Sequence, residues 1–130
     1  MIEIFSIAGT NVSKIRGGTV LFDCSELPEL PPLSALRQEH GNHELLVRHY
    51  SRMPAGRNLI YQSVGRIVDE KIRFAAFVSE HGQYRSPAIA TAVGQELCDR
   101  GCRIYLTHVN VNVPSEELVP IRRTWGEYES

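Results

Sequence analysis

The chain has 130 residues, of which 42% are hydrophobic and 22% charged, and this length predicts one globular domain spanning residues 1–130. Fourteen Lys and Arg against fifteen Asp and Glu give a formal charge of -1, which excludes strong, sequence-independent binding to nucleic acid driven by counterion release. The sequence contains no apolar run that could span a bilayer and no signal-peptide pattern at its start. We therefore expect a soluble, cytoplasmic protein with no membrane partner.

The first half of the chain predicts two strands, one extended connection and two helices. Residues 2–7 and 19–22 have strand character and are separated by a glycine turn, with Asp23 at the end of the second strand. Residues 27–32 include three prolines, which exclude a helix or a central strand and predict a stiff, extended connection. Residues 43–53 and 57–70 then show helical periodicity.

The second half predicts a strand, a loop, a helix and another strand. Residues 73–78 form a short apolar run, and a polar loop follows. Ser86 and Pro87 predict a helix N-cap and first turn, and Gly101 predicts the end of that helix. Residues 102–109 predict a strand parallel to the first. The expected fold is a three-layer α/β domain with a mostly parallel sheet of about four strands, helices on both faces, and an anion-binding loop between a strand and a helix.

That loop, residues 79–86, is the candidate site. Ligands of parallel sheets bind beyond the carboxyl ends of the strands, where unpaired helix amides favour an anion. Arg85 offers a guanidinium suited to phosphate, Gly82 allows the backbone to curl, and the Ser86 hydroxyl can donate. His108 ends the next strand beside the same crevice. The sequence therefore predicts a non-enzymatic binding domain for a small phosphorylated ligand, either a phosphosugar or a nucleotide, with no cofactor and no metal.

A phosphatase-like hydrolase is an alternative interpretation of the same loop. Ser79, five residues, Arg85 and Ser86 match the Cys-x5-Arg-[Ser/Thr] spacing of cysteine-based phosphatases, with serine in place of the nucleophile. A serine hydroxyl needs a neighbouring base, because the environment that ionises a thiol does not ionise a hydroxyl. His81 or Asp23 would have to supply the acid or base.

A longer resemblance covers most of the chain. The segment Phe77-Val78-Ser79-Glu80-His81-Gly82-Gln83-Tyr84-Arg85-Ser86, together with the following helix and the strand that reaches His108, resembles the C-terminal domain of the RapZ family of RNase adaptors. Upstream, Phe22-Asp23 and Leu27-Pro28 are similar to that family's Phe-Asp-Val-Arg-Phe-Leu-Pro-Asn-Pro segment. No Gly-x4-Gly-Lys-[Ser/Thr] motif is present, so the chain resembles a stand-alone domain without the family's nucleotide-binding domain.

The resemblance implies a phosphosugar ligand, glucosamine-6-phosphate, in the loop, binding of structured RNA, and a homo-oligomer. The positions that match the family are Gly82, Arg85, Ser86 and His108. The positions that differ from it are Ser79, Glu80, His81, Gln83 and Tyr84. The differences remove positive charge from the loop, and Glu80 adds a carboxylate to it. An RNA-binding adaptor is therefore the second candidate function.

Outside the loop, the notable residues predict no chemistry. His40, His43 and His49 do not have the i, i+4 spacing with which a helix holds zinc. Three cysteines, Cys24, Cys98 and Cys102, predict packed thiols in a reducing compartment. Arg122, Arg123, Trp125 and Tyr128 could stack on RNA, but docking of Trp125 on the body of the protein or on a partner subunit is favoured over RNA binding.

Overall fold

A five-stranded, mostly parallel sheet forms the centre of the protein. The computed structural model describes residues 1–31, 34–39 and 44–121. The strands are β1 (Ile2–Ala8), β2 (Val20–Asp23), β3 (Phe74–Ser79), β4 (Ile104–His108) and β5 (Glu116–Glu117), in the order β2-β3-β1-β4-β5. The first four are parallel, as the sequence predicts, and β5 is antiparallel to β4. With two residues, β5 is too short to leave a periodic pattern in the sequence.

Three α-helices accompany the sheet: α1 (Glu44–Arg52), α2 (Pro54–Asp69) and α3 (Arg85–Asp99). Pro54 occupies the first turn of α2, where its missing N–H costs no hydrogen bond. Two 3-10 turns, Gly9–Lys14 and Ala35–Gln38, lie in the connections. Helix α3 links β3 to β4, which are parallel but have β1 between them. In the described part of the chain, no helix is both long and apolar enough to cross a membrane.

The start of α3 differs from the prediction. The helix begins at Arg85, with Tyr84 as its N-cap, rather than after a Ser86 cap. The Ser86 hydroxyl is buried and accepts a hydrogen bond from the Ser79 hydroxyl at 2.8 Å, so it points back to the strand instead of capping the helix. The N-cap residue Tyr84 makes no side-chain capping hydrogen bond to α3.

The hydrophobic core lies between the helices and one face of the sheet. Ile4, Phe77 and Leu106, from three neighbouring strands, are fully buried in one cluster with residues of all three helices. On the alternate positions of the strands, Leu21 and Tyr105 are exposed by 47% and 37%, because successive side chains of a strand point to opposite faces. Helices on both faces of the sheet are therefore not confirmed.

Candidate functional site

The predicted loop surrounds a small pocket at the carboxyl end of β3. The pocket has a volume of about 120 Å³. Its wall combines the loop with the proline-rich connection and α1. The lining residues are Glu29, Leu30, Arg37, Tyr50, Ser79, His81, Gly82, Gln83, Tyr84 and Arg85.

Gly82 sets the path of the loop. Its φ is 67°, a left-handed conformation that side-chain-bearing residues rarely adopt. A Cβ atom on Gly82 would lie 2.5 Å from the backbone nitrogen of Ala8 at the end of β1. The loop can therefore lie against the strand end only because this residue has no side chain.

Ser79 is held inside the loop rather than presented to solvent. It is 4% exposed, and its hydroxyl donates to Ser86 and accepts from the backbone amide of Gly82 at 3.2 Å. Neither His81 nor Asp23 is hydrogen-bonded to it. This arrangement stabilises the turn and provides no base that would activate the hydroxyl as a nucleophile.

The guanidinium of Arg85 connects the loop to the proline-rich connection. It donates to the carbonyl oxygens of Ser25 and Leu27 at 3.1 and 3.2 Å, and it pairs with the Glu29 carboxylate at 3.2 Å. These contacts use three of the five N–H groups of an arginine, and the described residues provide no partner for the other two. Arg85 is thus first a structural clamp, and it also lines the pocket.

Arg37 makes a second clamp on the same connection. Its side chain donates to the carbonyl oxygens of Pro31 at 3.0 Å and Leu30 at 2.7 Å. The Tyr84 hydroxyl donates to the backbone carbonyl of Arg37 at 2.9 Å, so the N-cap residue of α3 is fixed to this segment. Two guanidinium groups therefore border the pocket, and one of them is paired with the Glu29 carboxylate. Guanidinium groups are suited to binding an anion.

Tyr50 is a pocket residue that the sequence did not predict. It lies on α1, is 0% exposed, and its hydroxyl has no hydrogen-bond partner among the described residues. Burial raises the pKa of Tyr50, while the charges of Arg85 and Arg37 act in the opposite direction. A buried hydroxyl without a partner is uncommon in proteins and costs about 1–3 kcal/mol.

The rim of the pocket is acidic. Glu29, Glu80 and His81 are all exposed, and each places one potential metal-ligating atom within 4.8 Å of the others. The Glu29 carboxylate already pairs with Arg85, and the His81 Nε2 atom lies 3.9 Å from Glu80. Exposed groups of this kind commonly occur without a metal, and we assign no metal to them.

His108 lies away from the pocket. It is 6% exposed, with Nδ1 2.6 Å from the Ser6 hydroxyl and Nε2 3.3 Å from the Thr91 hydroxyl. Thr91 donates its single hydrogen to the Pro87 carbonyl, so the Nε2–H of His108 donates to Thr91, and Ser6 donates to Nδ1. Burial lowers the pKa of His108 to about 4. The ring is therefore a neutral connection between β4, β1 and α3.

Asp23 also lies outside the group of residues that line the pocket. Its carboxylate accepts a hydrogen bond from the backbone amide of Ser25 at 2.8 Å. Hydrogen bonds from Ser25 lower the pKa of Asp23, with a smaller contribution from the charge of Arg85. Asp23 shapes the turn that presents the Ser25 carbonyl to Arg85.

A second, open groove borders the pocket. It has a volume of about 310 Å³ and shares Arg37, Gln83 and Tyr84 with the pocket. Its other lining residues are Gln38, Glu39, Asn110, Val111 and Asn112. The Asn110 side chain accepts from the Ala8 amide at 2.8 Å and donates to Asn11 at 3.0 Å, which fixes the groove to the end of β1.

Comparison with known proteins does not identify the family. No protein-family model matches the chain, and no curated protein matches it. The resemblance to the RapZ C-terminal domain stays a prediction.

The structure thus gathers some of the predicted site residues and separates others. Six of them line the pocket: Ser79, His81, Gly82, Gln83, Tyr84 and Arg85. Glu80 stands at its rim, Ser86 supports it from behind, and His108 and Asp23 are elsewhere. Prolines have no N–H, so the carbonyl groups of a proline-rich segment need hydrogen-bond donors from other parts of the chain. This requirement is the sequence signal that could have indicated a donor such as Arg37. Predictions on residues 40, 43, 122, 123, 125 and 128 lie outside the described residues.

Proposed function

We propose that this protein is a non-enzymatic binding domain that holds the phosphate group of a small molecule in the pocket between the loop and α1. The observation that carries the proposal is Tyr50 in the wall of a pocket bordered by Arg85 and Arg37, because its buried hydroxyl has no hydrogen-bond partner among the described residues. A phosphate oxygen would accept from that hydroxyl and from the remaining guanidinium hydrogens. The start of α3 also favours an anion, because Tyr84 makes no side-chain cap there and the first backbone amides of a helix carry partial positive charge.

The size of the pocket and its neighbouring groove favour a phosphosugar as the ligand. The pocket, of about 120 Å³, suits one compact anionic group. The groove beside it offers amide side chains from Gln38, Gln83 and Asn112, which can both donate to and accept from sugar hydroxyls. A hexose phosphate would place its phosphate in the pocket and its ring in the groove. The resemblance to the RapZ family supports this ligand class.

The hydrolase alternative has less support. Ser79 donates its hydrogen to Ser86, and neither His81 nor Asp23 is hydrogen-bonded to it. The RNA-adaptor alternative rests on the resemblance alone.

Tyr50→Phe tests the proposal, with Tyr105→Phe as the matched control, because Tyr105 is an exposed residue of β4 outside the pocket. Binding of glucose 6-phosphate, glucosamine-6-phosphate, inorganic phosphate and glucose would be measured by calorimetry. We expect the phosphorylated compounds to bind the wild type and glucose not to bind. Tyr50→Phe should weaken phosphate-dependent binding about tenfold, the loss of one hydrogen bond to a charged group, and Tyr105→Phe should not.

Equal affinities in wild type and Tyr50→Phe would refute the assignment of the pocket. Steeply salt-dependent binding of a structured RNA without binding of any sugar phosphate would favour the adaptor function instead. Turnover of an aryl phosphate that Ser79→Ala abolishes would establish the hydrolase.

A further inference from the structure

A second groove, which shares no lining residue with the phosphate pocket, lies between α1, α2 and α3. Its volume is about 570 Å³, within the size range of protein ligand pockets, ~300–1,000 Å³. Apolar side chains from all three helices line it, among them Val47, Ile60 and Ala92. Tyr61, also part of the wall, is 61% exposed, which is unusual for a large aromatic side chain next to other apolar surface.

The described chain ends inside this groove. After β5, Leu118 packs against Gly94 of α3, and the Val119 carbonyl accepts from Gln95 at 2.9 Å. The backbone amide of Ile121 then donates to the Asp99 carboxylate at 2.8 Å, and Ile121 itself lines the groove. Residues 118–121 are therefore fixed along α3, and the last described residue, Ile121, forms part of the groove wall.

Residues 122–130 continue from this point with the sequence Arg-Arg-Thr-Trp-Gly-Glu-Tyr-Glu-Ser. Trp125 is four residues beyond Ile121, a distance of at most about 14 Å for an extended chain. The segment carries two arginines and two glutamates, and the groove wall also carries charges of both signs. Within the described chain, Arg48 pairs with Glu44 and Glu96 pairs with Arg100.

We propose that the groove between α1, α2 and α3 is the docking site of this chain's own residues 122–130, with the Trp125 indole against Tyr61 and Ile60. Docking would bury apolar surface that the described residues leave open. It would also tie α1 and α2 to α3 through a segment that belongs to none of them. The proposal is independent of the phosphate pocket.

Trp125 is the sole tryptophan of the chain, so its fluorescence reports this docking directly. We expect the wild type to show blue-shifted emission and protection from acrylamide quenching at low protein concentration. Tyr61→Ser should lose both the blue shift and the protection. Val68→Ser is the matched control, since Val68 is also an exposed apolar residue of α2 and does not line the groove; it should leave both signals unchanged. Far-UV circular dichroism would establish that each variant is folded.

Three results would overturn the proposal. Wild-type emission and quenching equal to those of an unstructured peptide would show that Trp125 is solvated. A blue shift that Tyr61→Ser leaves intact would place the indole elsewhere. Protection that appears only as the protein concentration rises, together with a doubled mass in light scattering, would show that the groove holds the segment of a second copy.

Discussion

Replacing His108 should remove a defined part of the pH dependence of stability. The ring is buried between Ser6 and Thr91, and its pKa is lowered from the ordinary 6.5 to about 4 by burial. Because the folded state resists protonation more than the unfolded state does, acid favours unfolding. The contribution of His108 is fully present above about pH 6.5 and is lost as the pH falls from there toward 4.

The size of the effect follows from the two pKa values. With about 6.5 in the unfolded chain and about 4 in the folded chain, the free energy of unfolding falls by about 2 kcal/mol between about pH 8 and about pH 5 through this residue alone. His108→Asn keeps a polar side chain near Ser6 and removes the titration. Both proteins would be unfolded in urea at the two pH values, because other acidic groups contribute equally to each.

We expect the wild type to lose about 2 kcal/mol more than His108→Asn over this interval. Equal losses in the two proteins would refute the assignment of a neutral, buried ring. Histidine NMR would provide a second measurement, because the His108 ring signals should titrate at about pH 4 rather than near 6.5.

The remaining predictions concern packing. In urea unfolding, Gly56→Ala should lower the free energy of unfolding by at least about 2 kcal/mol, since a Cβ there would lie 1.9 Å from the Tyr50 carbonyl oxygen. Gly65→Ala in the same helix is the control: its Cβ would meet no atom within 4 Å, and the variant should be more stable by up to about 1 kcal/mol. Gly82→Ala should cost about 1–3 kcal/mol in the same assay and weaken phosphate binding, because its φ of 67° and its approach to β1 disfavour a side chain; unchanged stability would contradict this reading of the loop. When the native protein is alkylated and analysed by mass spectrometry, the partly exposed Cys102 should react before Cys24, because Cys24 is buried and its burial raises its pKa to about 12. Preferential labelling of Cys24 would contradict its burial.

The sequence alone determined the order and type of the main elements. The apolar runs at β1 and β3, the glycine and proline positions around α3, and the alternation in β4 are local signals, and the structure confirms the parallel α/β arrangement that they predict. The pocket-forming loop was also predictable, because a loop from a parallel strand into a helix is a recurrent position for ligands. Such signals depend on neighbours within a few residues, so one sequence is enough to detect them.

Tertiary structure decided which side chains share the pocket. Tyr50 and Arg37 come from segments that the chain brings to the loop across roughly thirty to fifty residues, and no local pattern marks Tyr50. The sequence predicted Arg85 as an anion-binding residue, whereas in the structure its guanidinium binds the carbonyl groups of Ser25 and Leu27. These groups lie about sixty residues away along the chain, so no local pattern could indicate the contact. His108 ends its strand as predicted, but the register of β4 against β1 turns its ring toward Ser6 and away from the loop. Periodicity in the sequence fixes which element a residue belongs to, whereas the packing of distant elements fixes what its side chain touches.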